Sequence, residues 1–305
     1  MRSVTPCAKI DVHAHAILHR DLEYRTSIDI SPEELIALYD AVGVERGVLQ
    51  PIVSPEWITS PMTNGDTCAI ARRWPDRFFW FFNADPRTIS NLPDTDFSDM
   101  IRFFLKLGAV GMGELTANLY ADDPMVDNLF TQLEAFDLPV TIHVGPTKGG
   151  CYGLVDEVGL PRLEKMLKKH PGLKILGHSQ PFWAEIDAGC SQETRGQYPT
   201  GKVREGRLAA LMREYGNLYC DMSANSCYNA LRRDPDYAYR FIDEFADRML
   251  YAIDACLPKQ NPYVYSMARW LDESAAAGCI APAKYRAICR ENAVRVLKLP
   301  LPAES

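Results

Sequence analysis

Residues 9–15 read KIDVHAH, and the same design recurs down the chain: a short apolar run ending in a histidine or a carboxylate. The end residues are His13 and His15 here, Glu114 in GAVGMGE, His143 in LPVTIH, His178 in LKILGH and Asp254 in RMLYAID. Such residues can form one cage only if the fold delivers five separate segment ends to a common place. A ring of parallel strands does this, because every C-terminal strand end opens on the same face. In His-x-His the two imidazoles point the same way from an extended strand. Imidazole and carboxylate without thiolate suit zinc, manganese, iron or nickel. The pattern points to a metal-dependent enzyme acting on a small molecule.

Eight strand-like runs can be marked, at 9–15, 47–53, 78–83, 109–114, 139–143, 174–178, 218–222 and 249–254. They are apolar nearly throughout, as strands buried on both faces are. Helices are expected between them. Ser31-Pro32-Glu33-Glu34 is a capping box with proline at the first helical position, opening a helix to 42. Ser98 is expected to cap a helix to 107, with Asp99 in its first turn. Asp123-Pro124 opens another to 136 and Pro161 one to 170, and segments 205–215, 236–245 and 282–297 complete the set. This alternation predicts a (β/α)8 TIM barrel with its metal site at the strand ends. With no Gly/Ser-rich linker, a single domain over residues 1–305 is expected. Residues 186–203 form the longest irregular stretch, directly after the run carrying His178, and would serve as a lid or a plain surface excursion.

Composition narrows the partners. Hydrophobic residues make up 47%, enough for a sizeable core, and 33 Lys and Arg against 40 Asp and Glu leave a charge of −7 with no basic block. Neutralising a polyanion needs clustered cations, so no nucleic acid is expected. The nine cysteines are scattered and never in C-x-x-C spacing, a reduced and cytoplasmic pattern rather than a disulfide framework. The opening MRSVTPCAKID has no apolar leader, and no run approaches the ~20 apolar residues of a membrane span. A cytoplasmic enzyme away from membranes is expected, and a homo-oligomer is allowed.

DVHAH in the first run, GVERGVLQP at the second, GHSQP at the sixth, Asp254 closing the eighth and ENAVRVLKL near the C-terminus together resemble the amidohydrolase superfamily. The likeness spans essentially the whole chain and is closest to the amidohydrolase-related group that includes aminocarboxymuconate-semialdehyde decarboxylase. That group's single-metal members use the His pair, the fifth-strand His and the eighth-strand Asp. Glu114 departs from the pattern and is similar to the GE turn of TatD-type hydrolases, where the Glu bridges two metals. By that analogy His13, His15 and Asp254 would hold one ion and His143 and His178 the other, with Glu114 between. The resemblance implies one or two divalent ions, zinc first and manganese, iron or nickel as alternatives. It implies hydrolysis of a small amide, lactone or ester by metal-activated water, with Asp254 taking the proton and His178 facing the substrate. The alternative is non-oxidative decarboxylation of a small carboxylic acid at one ion; a TatD-type phosphoesterase or nuclease comes third, and the acidic composition counts against it.

Asp11, two residues before His13, is expected to face the barrel interior with it in a hydrogen-bonding role. Strand-end loops offer Arg87, Asn118, Tyr120, Lys148, Tyr152, Trp183, Ser223 and Asn225, with Trp183 as the best aromatic wall. A cation there would suit a carboxylate substrate, and Arg87, Lys148 and Arg195 are equal candidates. His19 reads as a loop residue and His170 as a helix-end residue favoured by the helix dipole. Cys220 and Cys256 are expected to pack.

Overall fold

The apolar runs become strands β1 (Lys9–Ala14), β2 (Val44–Leu49), β3 (Phe78–Trp80), β4 (Met112–Leu115), β5 (Val140–Gly145), β6 (Leu154–Val155), β7 (Ile175–His178), β8 (Leu218–Asp221) and β9 (Met249–Leu250). The computed structural model describes residues 6–19, 29–57, 62–257 and 263–301. Strands pair in parallel in the orders β1–β2–β3 and β4–β5–β7–β8–β9, and β6 lies beside the end of β5. Backbone bonds close both seams. Val110 N–H donates to Trp80 O at 3.0 Å and Gly113 N–H to Phe82 O at 2.9 Å, while Val12 N–H donates to Tyr251 O at 3.1 Å. The fold is a (β/α)8 barrel.

Helices cover the ring: α1 (Pro32–Val42), α2 (Asn64–Arg73), α3 (Ser98–Lys106), α4 (Pro124–Ala135), α5 (Pro161–Lys169), α6 (Gln180–Ala184), α7 (Arg207–Glu214), α8 (Ala224–Arg232), α9 (Pro235–Phe245), α10 (Tyr263–Ala276), α11 (Pro282–Arg286) and α12 (Asn292–Val296). Ser31 and Glu34 form the expected capping box, and Gly43 at φ 72° ends α1 so abruptly that β2 starts at Val44 rather than 47. Ser98 is not a cap: it is the first residue of α3, and its N–H goes to Asp96 Oδ1 at 2.8 Å. The segment 282–297 is not one helix. A π-turn at Ala287–Glu291 interrupts it, and Ile288 O accepts from Tyr251 N–H at 3.0 Å, joining the last strand segment to the helix. Helices α2, α6, α8 and α10 fall in stretches where no helix was expected.

Inside the ring, Ile10, Val12, Val48, Phe81, Leu176, Tyr219 and Leu250 pack together, closed from below by Val296, Leu297 and Leu299 of the C-terminal segment. The other end of the interior carries the polar set. Asp11 does not face inward as expected. Its Oδ1 accepts from His13 N–H at 3.0 Å and Ile253 N–H at 2.9 Å, and its Oδ2 from Tyr39 Oη–H of α1 at 2.8 Å. The Asp11-to-His13 bond is a local turn that competes with the ladder, and the β1–β2 register is irregular between Asp11 and Ala14. This bend lets His13 leave the two-residue alternation.

Residues 186–203 are fastened on the strand-end side. Gln192 Nε2 donates to Pro146 O at 2.9 Å, Arg195 to Asp156 O at 2.6 Å, Gln180 Nε2 to Tyr198 Oη at 2.9 Å and Asn229 Nδ2 to Pro199 O at 3.1 Å. An antiparallel bridge between Asp187 and Glu205 closes the base of the loop. No described helix is long and apolar enough to cross a membrane.

Candidate metal centre

All six residues read from the strand ends meet at the barrel mouth. β1 delivers His13 and His15, whose Nε2 atoms stand 3.1 Å apart, and Asp254 Oδ1 lies 3.4 Å from His15 Nε2 and 3.9 Å from His13 Nε2. Glu114, from β4, faces two ways. Its Oε2 is 3.5 Å from His13 Nε2 and 3.6 Å from His15 Nε2, while its Oε1 is 2.6 Å from His143 Nδ1 and 3.9 Å from His178 Nε2. Asp254 also spans the groups, with Oδ2 3.6 Å from His178 Nε2.

Local backbone explains two of these placements. A Cβ on Gly177 would lie 2.2 Å from the Phe182 ring, so α6 can fold tightly over β7 only with glycine there; Ser179 follows His178 at φ 108°. Asp254 sits at φ 57°, a left-handed conformation that Asp tolerates better than most residues. Its N–H donates to His13 O at 2.9 Å, which ties the end of the last strand segment to the first strand.

Each strand-one imidazole has one nitrogen committed to protein. His13 Nδ1 lies 2.7 Å from Asp221 Oδ2, and His15 Nδ1 is 2.9 Å from Gln50 O. His178 Nδ1 pairs with Ser223 Oγ at 2.7 Å. Burial works against charge on His13, yet Asp221, Asp254 and Glu114 outweigh it and pull His13 well above its ordinary value. Burial pushes His178 down to about 4, helped by the charge on His13, so it is neutral at pH 7. Burial would raise Glu114 and Asp254, but the surrounding imidazoles hold both below the usual carboxylate range.

This donor set fits a divalent cation. Ligands about 2.1 Å from one ion in a tetrahedral array stand roughly 3.4 Å apart, and the edges that His13 and His15 Nε2 make with each other, with Asp254 Oδ1 and with Glu114 Oε2 run from 3.1 to 3.9 Å. Buried Glu114 and Asp221, with partly buried Asp254 beside them, also need positive charge to balance them. The second group, Glu114 Oε1, His143 and His178, is drawn together by a hydrogen bond at one edge.

Asp221 was missed from the sequence. The signal was present: an acidic residue ending the apolar run LYCD, the pattern that singled out Asp254. Trp183 is not a substrate wall. It is 1% exposed, donates Nε1–H to Asp221 O at 3.0 Å and packs on Phe182 and Phe241. The aromatic ring beside the cluster is that of Tyr152, 4.5 Å from the His143 ring and packed against Trp57 at 4.2 Å. Arg87 is not open to substrate, because Asp85 and Glu56 bind its guanidinium at 2.7–2.8 Å. Lys148 donates to Asn118 O, and Arg195 is wholly buried against Asp156 O. Asn118 braces the 147–153 loop through Thr147 O, Gly153 O and Gly149 N, and Tyr120 lies part-exposed under the Arg162 guanidinium. Asn225 falls in the first turn of α8. Cys220 is buried packing, whereas the Cys256 thiol lies 3.5 Å from Asp254 Oδ1, against the expectation that it only packs. His19 is an exposed loop residue.

The sequence profile described as amidohydrolase matches residues 10–299. The chain belongs to the amidohydrolase family. It is an enzyme of that family, whose members usually bind divalent metal. No curated protein matches it in sequence. Among solved structures it is similar to 2,6-dihydroxybenzoate decarboxylase from Rhizobium, with 20% identity, TM-score 0.55, and 96% and 99% of the two chains covered. It is also similar to a probable 2-pyrone-4,6-dicarboxylic acid hydrolase from Acinetobacter baumannii (14% identity, TM-score 0.58, 97% and 100% covered). A TIM-barrel protein from Bordetella bronchiseptica gives 19% identity and TM-score 0.62, with 95% and 98% covered. At these identities the structures speak to the fold.

Proposed function

We propose that the chain is a dinuclear metal-dependent hydrolase of a small amide, lactone or ester. The observation that carries this reading is Glu114, whose two oxygens face two different ligand groups, Oε2 towards His13 and His15 and Oε1 towards His143 and His178. His13, His15 and Asp254 would hold one ion, His143 and His178 the other, with Glu114 shared as in TatD-type hydrolases. When bound, the divalent ions supply acidified water at neutral pH, with a pKa brought down to about 7.

The chain's own residues supply the rest. Asp254, held ionised by its histidine neighbours, has one oxygen towards each ligand group and is placed to take the proton as water attacks. Tyr152 stands beside His143 with Trp57 packed edge-on against it, an aromatic side to the site. Arg87 is held by Asp85 and Glu56, Lys148 donates to Asn118 O and Arg195 is buried against Asp156 O, which favours a neutral acyl group over a carboxylate as the reacting end.

A second reading has one observation in its favour. Glu114 Oε1 and His143 Nδ1 stand 2.6 Å apart, closer than two ligands of one ion, so they could remain a hydrogen-bonded pair beside a single ion. That arrangement would suit decarboxylation, the activity named for the Rhizobium structure. A panel of small amides, lactones, esters and aromatic carboxylates tests the choice with zinc- and manganese-loaded protein. Acyl hydrolysis abolished by chelation and restored by metal is expected. Carbon dioxide release from a carboxylate, with no acyl hydrolysis, would replace the hydrolase reading with the second.

A further inference from the structure

We infer that Asp221 and Ser223 are positioning residues for the metal centre, with Asp221 orienting His13 of one ligand group and Ser223 orienting His178 of the other. The inference rests on the metal reading above but concerns residues that this reading does not assign as ligands. Asp221 closes β8 fully buried, and both its oxygens have partners: Oδ2 lies 2.7 Å from His13 Nδ1, and Oδ1 accepts Ser223 N–H at 2.9 Å. Ser223 Oγ in turn lies 2.7 Å from His178 Nδ1. The chain His13–Asp221–Ser223–His178 therefore joins the two groups through three hydrogen bonds and one β8 end.

The direction of these bonds matters more than their number. An ionised carboxylate only accepts. Asp221 Oδ1 accepts the Ser223 N–H and Oδ2 stands 2.7 Å from His13 Nδ1, so the carboxylate is the acceptor of both bonds and His13 Nδ1 carries the hydrogen. That leaves Nε2, on the far side of the ring, as the atom that faces His15, Glu114 and Asp254. Asp221 thus sits behind the ligand rather than among the ligand atoms, although it is near enough to His13 and His178 to be mistaken for one. Trp183 Nε1–H, donating to Asp221 O at 3.0 Å, anchors the strand end from the helix layer. An amide in place of the carboxylate could turn its NH2 towards Nδ1 and present the opposite tautomer, with hydrogen on Nε2. Partners of this kind are worth about 10–100-fold in metal affinity.

The test is zinc binding to chelator-stripped protein in competition with a chromophoric chelator, for the parent, Asp221→Asn and Ser223→Ala. Circular dichroism of each stripped protein reports its folding. Asp221→Asn should weaken zinc binding about 10–100-fold, with full occupancy recovered at raised zinc, which a collapsed site would not show. Ser223→Ala should weaken one of the two ions and leave the other near parental affinity. Should stripped Asp221→Asn fail to fold, Ser223→Ala decides alone: selective weakening of one ion supports the inference. Parental zinc affinity in a folded Asp221→Asn protein, or in Ser223→Ala, overturns it while leaving the metal reading intact. A parent that takes up no zinc at all removes the metal reading itself, and this inference with it.

Discussion

Histidine meets carboxylate in two places in this molecule, to opposite ends. At the barrel mouth, His13, His15 and His178 each give Nδ1 to a fixed protein partner and leave Nε2 facing a shared space. Between α4 and α5, His170 gives both nitrogens away, Nε2 to Asp127 Oδ1 at 2.9 Å and Nδ1 to Glu134 Oε2 at 3.2 Å. Both settings are buried and both are acidic. The difference is the spare nitrogen. A metal needs a lone pair not already taken by a hydrogen bond, so the first cluster can bind an ion, and the second is a clamp between two helices.

The comparison can be broken from the mouth. Removing the His13 and His15 imidazoles together, as His13→Ala/His15→Ala, should remove the ion they hold and abolish turnover, with the barrel still folded because its apolar core lies at the other end of the ring. Parental metal content in that double variant would show that these spare nitrogens hold no ion. Asp254→Asn comes next. It keeps a metal-facing oxygen but loses the proton acceptor, so turnover should drop ~10²–10⁴-fold, or about 3–5 kcal/mol of barrier, while metal content stays near parental. Rates within a few-fold of the parent would take Asp254 out of the chemistry.

How much of this was legible in the sequence follows from what each residue must do. The six residues that meet at the mouth were readable because each is a polar residue closing an apolar run, an arrangement with no packing reason of its own. The barrel was readable for the same reason, since eight such runs alternate with capped helical segments. Residues that act by turning away from their pattern were not. Asp11 was assigned inward by strand alternation, and the register irregularity that sends it towards Tyr39 comes from its own side chain bonding the backbone two residues on. Trp183 was placed at the mouth by its closeness to His178 in sequence, but the sharp turn allowed by Gly177 carries it behind β8 instead. The substrate cations failed similarly: whether Arg87 is open depends on Glu56, 31 positions away in sequence.

Smaller effects sharpen the comparison from the other side. His170→Gln removes two charge-assisted contacts, so it should cost about 1–3 kcal/mol of stability in denaturant titrations. It should leave metal content and turnover untouched, and a loss of metal would mean the two clusters are not independent. Arg87→Gln should cost a similar amount, about 1–3 kcal/mol, because the Glu56 pair is partly exposed but the Asp85 carboxylate left behind is buried. A large loss of substrate affinity in that variant would return Arg87 to the binding site.

The central claim is that Glu114 stands between two ions. Elemental analysis of zinc-loaded protein, paired with an anomalous-scattering map, tests it most directly in the parent and in Glu114→Gln. The account predicts two ions per chain in the parent and about half that in the variant, with two peaks in the parent map on either side of the Glu114 carboxylate. One ion per chain in both proteins, seated among His13, His15 and Asp254, would contradict it.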